Sequence, residues 1–206
     1  MKNMTLDMAK ETFGIEAKVL LDTAENMDWR AFAEAVRLLS HAGRIAASGC
    51  GHSGIACRHF AHSMCCIERP ARFLSPSEAV HGGTGFIQSG DVLVVASRGG
   101  KTAELMPIIE IARKKGAAVI SVTENTGSPM AKMSDVTLPI KVYREADRYD
   151  AQGTSSFVAV SAVFDALQVA VMEETGYQGE QFALIHPGGA VGERLNKPEN
   201  GGDHNG

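Results

Sequence analysis

The sequence predicts an α/β fold: a doubly wound parallel sheet flanked by helices, with two leading N-terminal helices. Three observations carry this. From residue 44 onward, short apolar runs alternate with longer helical ones, the order of β-α-β units. The run Val92-Leu93-Val94-Val95-Ala96 shows no in–out alternation, as expected of a strand buried on both faces. Two glycine-bearing turns, Ser48-Gly49-Cys50-Gly51-His52-Ser53-Gly54 and Ser97-Arg98-Gly99-Gly100-Lys101-Thr102, each follow an apolar run and open a helical one. They sit where such sheets bind ligands, at strand carboxyl ends.

Met4 to Asn26 reads as a helix because Leu6, Phe13, Ala17, Leu20 and Leu21 recur at near-helical spacing. Asp28 is an N-cap candidate for a second helix with Phe32, Ala35, Val36 and Leu39 on one side, closed by Gly43. There follow a strand at 44–48, a helix at 54–66, strands at 71–74 and 91–97, a helix at 102–115, strands at 117–122 and 136–140, and a helix from Thr154 to Glu174. After Phe182–Ile185, His186-Pro187-Gly188-Gly189 fixes a sharp loop. Residues 1–195 are expected to form a single domain. Residues 196–206, rich in Asn, Gly, Asp and Pro, bury too little apolar surface to fold alone and are expected to be a disordered tail.

With 206 residues, 44% hydrophobic and 21% charged, the chain fits one soluble domain with a substantial core. A net charge of −4 gives no general attraction to nucleic acid or an anionic membrane, so any bound anion must be held by a local site. No apolar run is read as reaching the roughly 18 to 20 residues that span a bilayer, and the N-terminus lacks a signal-peptide core, so a cytoplasmic location is expected. Cys50, Cys57, Cys65 and Cys66 crowd one short stretch, unlike a disulfide framework, which favours reduced thiols.

A strand that breaks through glycines into a helix N-terminus gathers free backbone N–H groups and the positive dipole end, which suits a phosphate. Glycine equally serves a tight turn onto a packed helix. At the second turn a phosphate would meet the hydroxyls of Ser97 and Thr102, backbone donors and Arg98. The spacing is not that of a nucleoside-triphosphate loop, and Thr102 also suits an ordinary N-cap. Thr154-Ser155-Ser156 opens the last long helix, either as a cap or as a third hydroxyl-bearing helix start aimed at the same ligand. Glu145 follows the 136–140 strand. It is either a solvated loop residue or a carboxylate placed to move a proton. His186 is either a structural loop histidine or a proton carrier near neutral pH. His62 and Cys66 share a helix face and could make a two-ligand corner. Buried cysteine as a small hydrophobe is the commoner arrangement, and no metal site is expected.

Taken together, Gly49-Cys50-Gly51-His52-Ser53-Gly54, Pro76-Ser77-Glu78-Ala79-Val80-His81-Gly82, Gly90-Asp91-Val92, Ser97 to Glu104, Arg144-Glu145-Ala146, Thr154-Ser155-Ser156 and Phe182-Ala183-Leu184-Ile185-His186-Pro187-Gly188-Gly189-Ala190-Val191-Gly192 resemble the sugar isomerase (SIS) family. The resemblance runs from about residue 10 to Leu195 and is strongest to the isomerase portion of arabinose 5-phosphate isomerases. It implies a three-layer SIS sandwich that binds a sugar phosphate through Ser53, Ser97, Thr102, Thr154, Ser155 and Ser156, with Gly51, Arg98 and His81 as further contacts. It also implies aldose–ketose isomerisation with Glu145 as base and His186 as a further catalytic group, without a cofactor. Such enzymes assemble as dimers of dimers, so His81 or His186 would serve a neighbouring pocket. Longer members add a paired CBS module after the isomerase domain, and this chain is expected to lack it.

Two positions depart from the family pattern: His52 stands where lysine is typical and Lys101 where glutamate is typical. The exchange reverses a charge beside the expected ligand. In the working mechanism Glu145 takes the carbon-bound proton, His186 shuttles protons between oxygens or opens the ring, and Lys101 or His52 stabilises the enediolate. The alternatives are an isomerase for a different pentose or hexose phosphate, and a non-catalytic phosphosugar sensor.

Overall fold

The computed structural model describes residues 3–195. The tail expected at 196–206 lies outside them. Helix α1 spans Asn3–Glu25 and α2 spans Trp29–His41. Asp28 caps α2 by accepting from the backbone N–H groups of Arg30 and Ala31, and Phe32, Ala35, Val36 and Leu39 form its buried face.

Five strands, β1 (Ile45–Gly49), β2 (Ala71–Phe73), β3 (Val92–Ala96), β4 (Ala118–Thr123) and β5 (Val136–Pro139), form one parallel sheet in the order β2-β1-β3-β4-β5. Side chains alternate between two cores, as the two-residue period requires. Ala47, Val94, Ile120 and Leu138 face a layer that includes α2, while Ala46, Leu93, Val95 and Val119 face the opposite layer. Burial on both faces accounts for the unbroken apolar runs.

The first layer also contains α3 (Gly51–Cys66) and α7 (Ser155–Thr175); the second contains α4 (Pro76–Ala79), α5 (Met106–Lys114) and α6 (Pro129–Lys132). Phe60 of α3 stacks on Phe164 of α7 with centroids 4.5 Å apart, both fully buried. Truncating either to alanine is expected to cost about 3–5 kcal/mol. The chain ends in α8 (Gly179–Ile185) and α9 (Gly189–Leu195).

Several boundaries differ from the sequence expectation. Helix α3 begins at Gly51 rather than 54, so His52 and Ser53 lie on its first turn. A 3-10 turn at Ala103–Leu105 precedes α5, and Pro107 sits in the first turn of α5, where its missing N–H has no intrahelical partner to lose. The last block is also more helical: α8 is fixed by a capping box between Gln178 and Gln181, and the loop shrinks to His186–Gly188. The expectation that no segment is long and apolar enough to span a bilayer is corrected by α7, which passes on length and composition. Ala159, Val160, Val163, Phe164, Leu167 and Val171 are buried in the core, so its apolarity is that of a central packing helix.

From β1 the chain crosses out to β2, then returns past β1 to β3. The reversal opens a crevice between the carboxyl ends of β1 and β3, where this topology places ligands.

Candidate functional site

At the carboxyl end of β1, strand and helix are in backbone contact. A Cβ on Gly54 would lie 2.5 Å from the Gly49 carbonyl oxygen, and one on Gly49 would lie 2.9 Å from the Ser53 carbonyl. Only glycine permits this approach, which is the tight-turn reading of these residues. It is a packing device, and it sets the first turn of α3 at the switch point.

The turn after β3 is built around Ser97, whose hydroxyl lies 2.8 Å from that of Thr102 and accepts from the Gly100 N–H at 3.2 Å. Thr102 therefore pairs with Ser97 rather than capping the following helical turn. Gly100 has φ +63°, and a Cβ there would lie 2.1 Å from the Ser128 hydroxyl. Among the described residues, the backbone N–H groups of Gly99, Lys101 and Thr102 have no acceptor, and with Gly100 left-handed the turn has the donors of an anion nest. Lys101 is exposed beside it.

Arg98 does not point into that nest. Its Nε donates to Glu124 Oε2 at 3.0 Å, Nη1 to Glu145 Oε1 at 2.9 Å and Nη2 to the Val142 carbonyl at 3.3 Å. Burial pulls its pKa down, but the hydrogen bond and charge of Glu124, followed by the charges of Glu145 and Asp150, outweigh this and hold it above the usual arginine value. Glu145 is 2% exposed, and its second oxygen accepts from the Thr154 hydroxyl at 3.2 Å and the Ser156 N–H at 3.1 Å. The anion at the start of α7 is thus Glu145 itself. Thr154 holds it through its hydroxyl and Ser156 through its backbone N–H, and Ser155 is fully buried with its hydroxyl unpartnered.

His52 links α3 to this cluster. A Cβ on Gly153 would lie 2.9 Å from its ring, and Phe157 of α7 meets it edge-on at 6.3 Å between centroids. A chain of contacts therefore runs from His52 through Gly153 and Thr154 to Glu145, Arg98 and Ser97. The helix starts bearing Ser53 and Thr154 and the turn bearing Ser97 meet at one end of the sheet.

Beside the β1 turn lies a cleft of about 370 Å³, lined by Cys50, Gly51, Arg58, Ser75, Ser77 and Glu104 among others. The Arg58 guanidinium stacks 4.0 Å over the Phe73 ring. Burial, then the charge of Glu104, pushes the Cys50 thiol up. Arg58, Ser75 and Glu124 were not anticipated as site residues. Ser75-Pro76-Ser77-Glu78, a helix-start pattern directly after a strand, is the signal that could have indicated the cleft wall. His81 is exposed just past α4.

His186 is elsewhere. Its ring stacks on Phe182 of α8 at 3.8 Å, and Nδ1 lies 3.1 Å from the Phe182 carbonyl. The Tyr177 hydroxyl just before α8 donates to the Cys66 carbonyl, and Gln181 of α8 donates to Glu68. Both contacts fall at the far end of α3, about 24 Å along its axis from Gly51. Within one chain His186 and the nest occupy opposite poles. Full burial pushes the Cys57 thiol up to about 12, in keeping with a packing role. Cys66 Sγ lies 3.6 Å from His62 Nε2, and among the described residues no third His, Cys, Asp or Glu completes a metal-binding group.

A parallel sheet of this order, with a glycine turn offering free N–H groups after β3 and a buried carboxylate tied to that turn through Arg98, defines a doubly wound α/β domain suited to an anionic ligand. The SIS domain model matches residues 38–170, and the chain belongs to the SIS family. It is 37% identical over 158 residues to the arabinose 5-phosphate isomerase KdsD of Pseudomonas aeruginosa, covering 77% of this chain and 48% of that protein. The chain therefore spans about half the length of this curated relative. The crystal structure of a putative sugar-phosphate isomerase from Listeria monocytogenes superposes with a TM-score of 0.88 at 41% identity, covering 91% of this chain and 99% of that one. An E. coli CFT073 protein solved in complex with arabinose 5-phosphate superposes at 0.84 with 29% identity, covering 91% of this chain and all of the other.

Proposed function

We propose that the protein interconverts an aldose phosphate and a ketose phosphate, with arabinose 5-phosphate and ribulose 5-phosphate as the first pair to test. The observation that carries this is the ion pair by which Arg98, within the Ser97–Thr102 turn, joins that turn to the buried Glu145 carboxylate. The curated relative's activity and the arabinose 5-phosphate complex of a structural neighbour support the choice of sugar.

The phosphate sits in the nest, held by the N–H groups of Gly99, Lys101 and Thr102, the hydroxyls of Ser97 and Thr102, and Ser53 at the start of α3. Lys101 adds a charge at the rim. Glu145 removes the proton on C2 of the aldose and returns it to C1, while Lys101 or His52 stabilises the enediolate oxygen. C1 is reduced as C2 is oxidised, so the reaction balances internally and needs no external electron carrier.

His186 reaches a site only by assembly, with one chain supplying the nest and another supplying the imidazole. Phe13 (77% exposed) and Leu21 (65%) of α1 and Val169 (59%) of α7 leave apolar surface that a second copy would cover, consistent with a dimer of dimers. Mixing the variants Glu145→Gln and His186→Ala, each inactive alone, should restore turnover in mixed assemblies. No recovery would place both residues outside a shared site.

A second reading, a non-catalytic phosphosugar sensor, is favoured by one observation: both Glu145 oxygens are engaged in the free chain. Incubating the protein with arabinose 5-phosphate, ribulose 5-phosphate and a panel of hexose phosphates separates the readings. An isomerase converts one of them, whereas a sensor binds and returns it unchanged.

A further inference from the structure

The Arg98 guanidinium spans two carboxylates. Through Nε it holds Glu124, which is itself fixed by the Val142 N–H at 3.2 Å, and through Nη1 it holds Glu145. Of the three groups bonded to Glu145, Thr154 and Ser156 belong to the start of α7, and only Arg98 is a long side chain that can turn away. The Arg98 side chain is 34% exposed, against 3% for that of Glu145. Its backbone lies between Ser97 and Gly99, inside the anion nest. A phosphate dianion seated in the nest is therefore adjacent to the Arg98 backbone, and as a bidentate acceptor it can draw the guanidinium, now held by Glu145 and the Val142 carbonyl, round toward itself. The Nε contact to Glu124 can act as the pivot while the Nη1–Nη2 edge turns.

We propose that Arg98 is a specificity-determining latch, in which a phosphate bound in the nest draws its guanidinium off Glu145 Oε1 and so frees that oxygen to act on the sugar. The inference rests on the isomerase reading and deepens it. Glu145 Oε2 keeps Thr154 and the Ser156 N–H, so the carboxylate stays oriented as Oε1 becomes available. A sugar without a phosphate carries no charge to move the arginine and meets a blocked base. Free sugars are then rejected in the chemical step as well as in binding. Arg98 acts here through Glu145 and is a positioning residue.

The test separates the phosphate from the sugar. D-Threose, the four-carbon remainder of arabinose 5-phosphate, is followed in D2O by NMR for deuterium at C2, with and without phosphite dianion as the detached anion. The wild-type protein should exchange slowly alone and at least 10-fold faster with phosphite. Arg98→Met should exchange threose faster than wild type without phosphite and show no phosphite acceleration, and Arg98→Lys should recover part of it. Equal phosphite acceleration in wild type and Arg98→Met would overturn the latch. A second readout needs no turnover and no change at Arg98: the carboxyl 13C resonance of Glu145, assigned by its loss in Glu145→Gln, should shift on titrating inorganic phosphate into the wild-type protein. A resonance that stays fixed while phosphate binds overturns the latch. A shift in a protein that turns over no sugar phosphate would sustain the latch and remove the isomerase reading instead.

Discussion

Gly100→Ala tests the architecture of the anion nest most sharply. At φ +63° an alanine pays about 1–2 kcal/mol for the left-handed backbone. Its Cβ would also lie 2.1 Å from the Ser128 hydroxyl and 2.5 Å from the Ser128 Cβ. Rotating the serine relieves the first clash but not the second, so the backbone must shift. The Ser128 hydroxyl caps α6 by accepting from the Ala131 N–H, and losing that cap costs about 1 kcal/mol more. The sum is about 3 kcal/mol, a large share of the roughly 5–15 kcal/mol that holds a domain folded. Gly99→Ala is the control, because a Cβ there meets nothing within 4 Å and is expected to change stability by less than about 0.5 kcal/mol. Urea unfolding of both variants reads the difference. If Gly100→Ala proves as stable as Gly99→Ala, the nest is not held as described.

Glu145→Gln should lower turnover by at least about 100-fold while leaving sugar phosphate binding within a few-fold of wild type, checked by steady-state kinetics and calorimetry. Lys101→Ala should weaken phosphate binding several-fold at low salt, and the gap should narrow as ionic strength rises, because the cation is exposed at the rim. Cys57 should resist alkylation in the native state while exposed Cys65 reacts, as read by mass spectrometry. Its thiol shifts from 9.0 to about 12 on folding, so its contribution is complete below pH 9 and is lost as pH rises toward 12. The wild-type protein should therefore lose stability relative to Cys57→Ala as pH rises across that window, as read by urea unfolding at a series of pH values.

The layers of the fold were legible because their signals are local. Asp28 followed by apolar residues at helical spacing marked α2, and Val92–Ala96 marked a strand buried on both faces. The start of α3 was placed three residues late because Gly51 and Ser53 have weak helix propensity, which tertiary contact between Gly49 and Gly54 overrides. Ser97 and Thr102 could be picked out from spacing as hydroxyls of one glycine turn, but not that they bond to each other instead of Thr102 capping the next helix. The role of Arg98 could not be read, since its partners Glu124 and Glu145 lie 26 and 47 residues away and meet it only once β3, β4 and the loop after β5 are packed. The position of His186 was hidden for the same reason: the contacts that anchor α8 to the far end of α3 span more than a hundred residues.

The most direct test of the account is arabinose 5-phosphate incubated with the protein in D2O and followed by NMR. Ribulose 5-phosphate carrying deuterium at C1, with deuterium entering C2 of the returned aldose, is the expected result. Tight binding of the sugar phosphate, with every carbon-bound proton retained and no ketose formed, would contradict it.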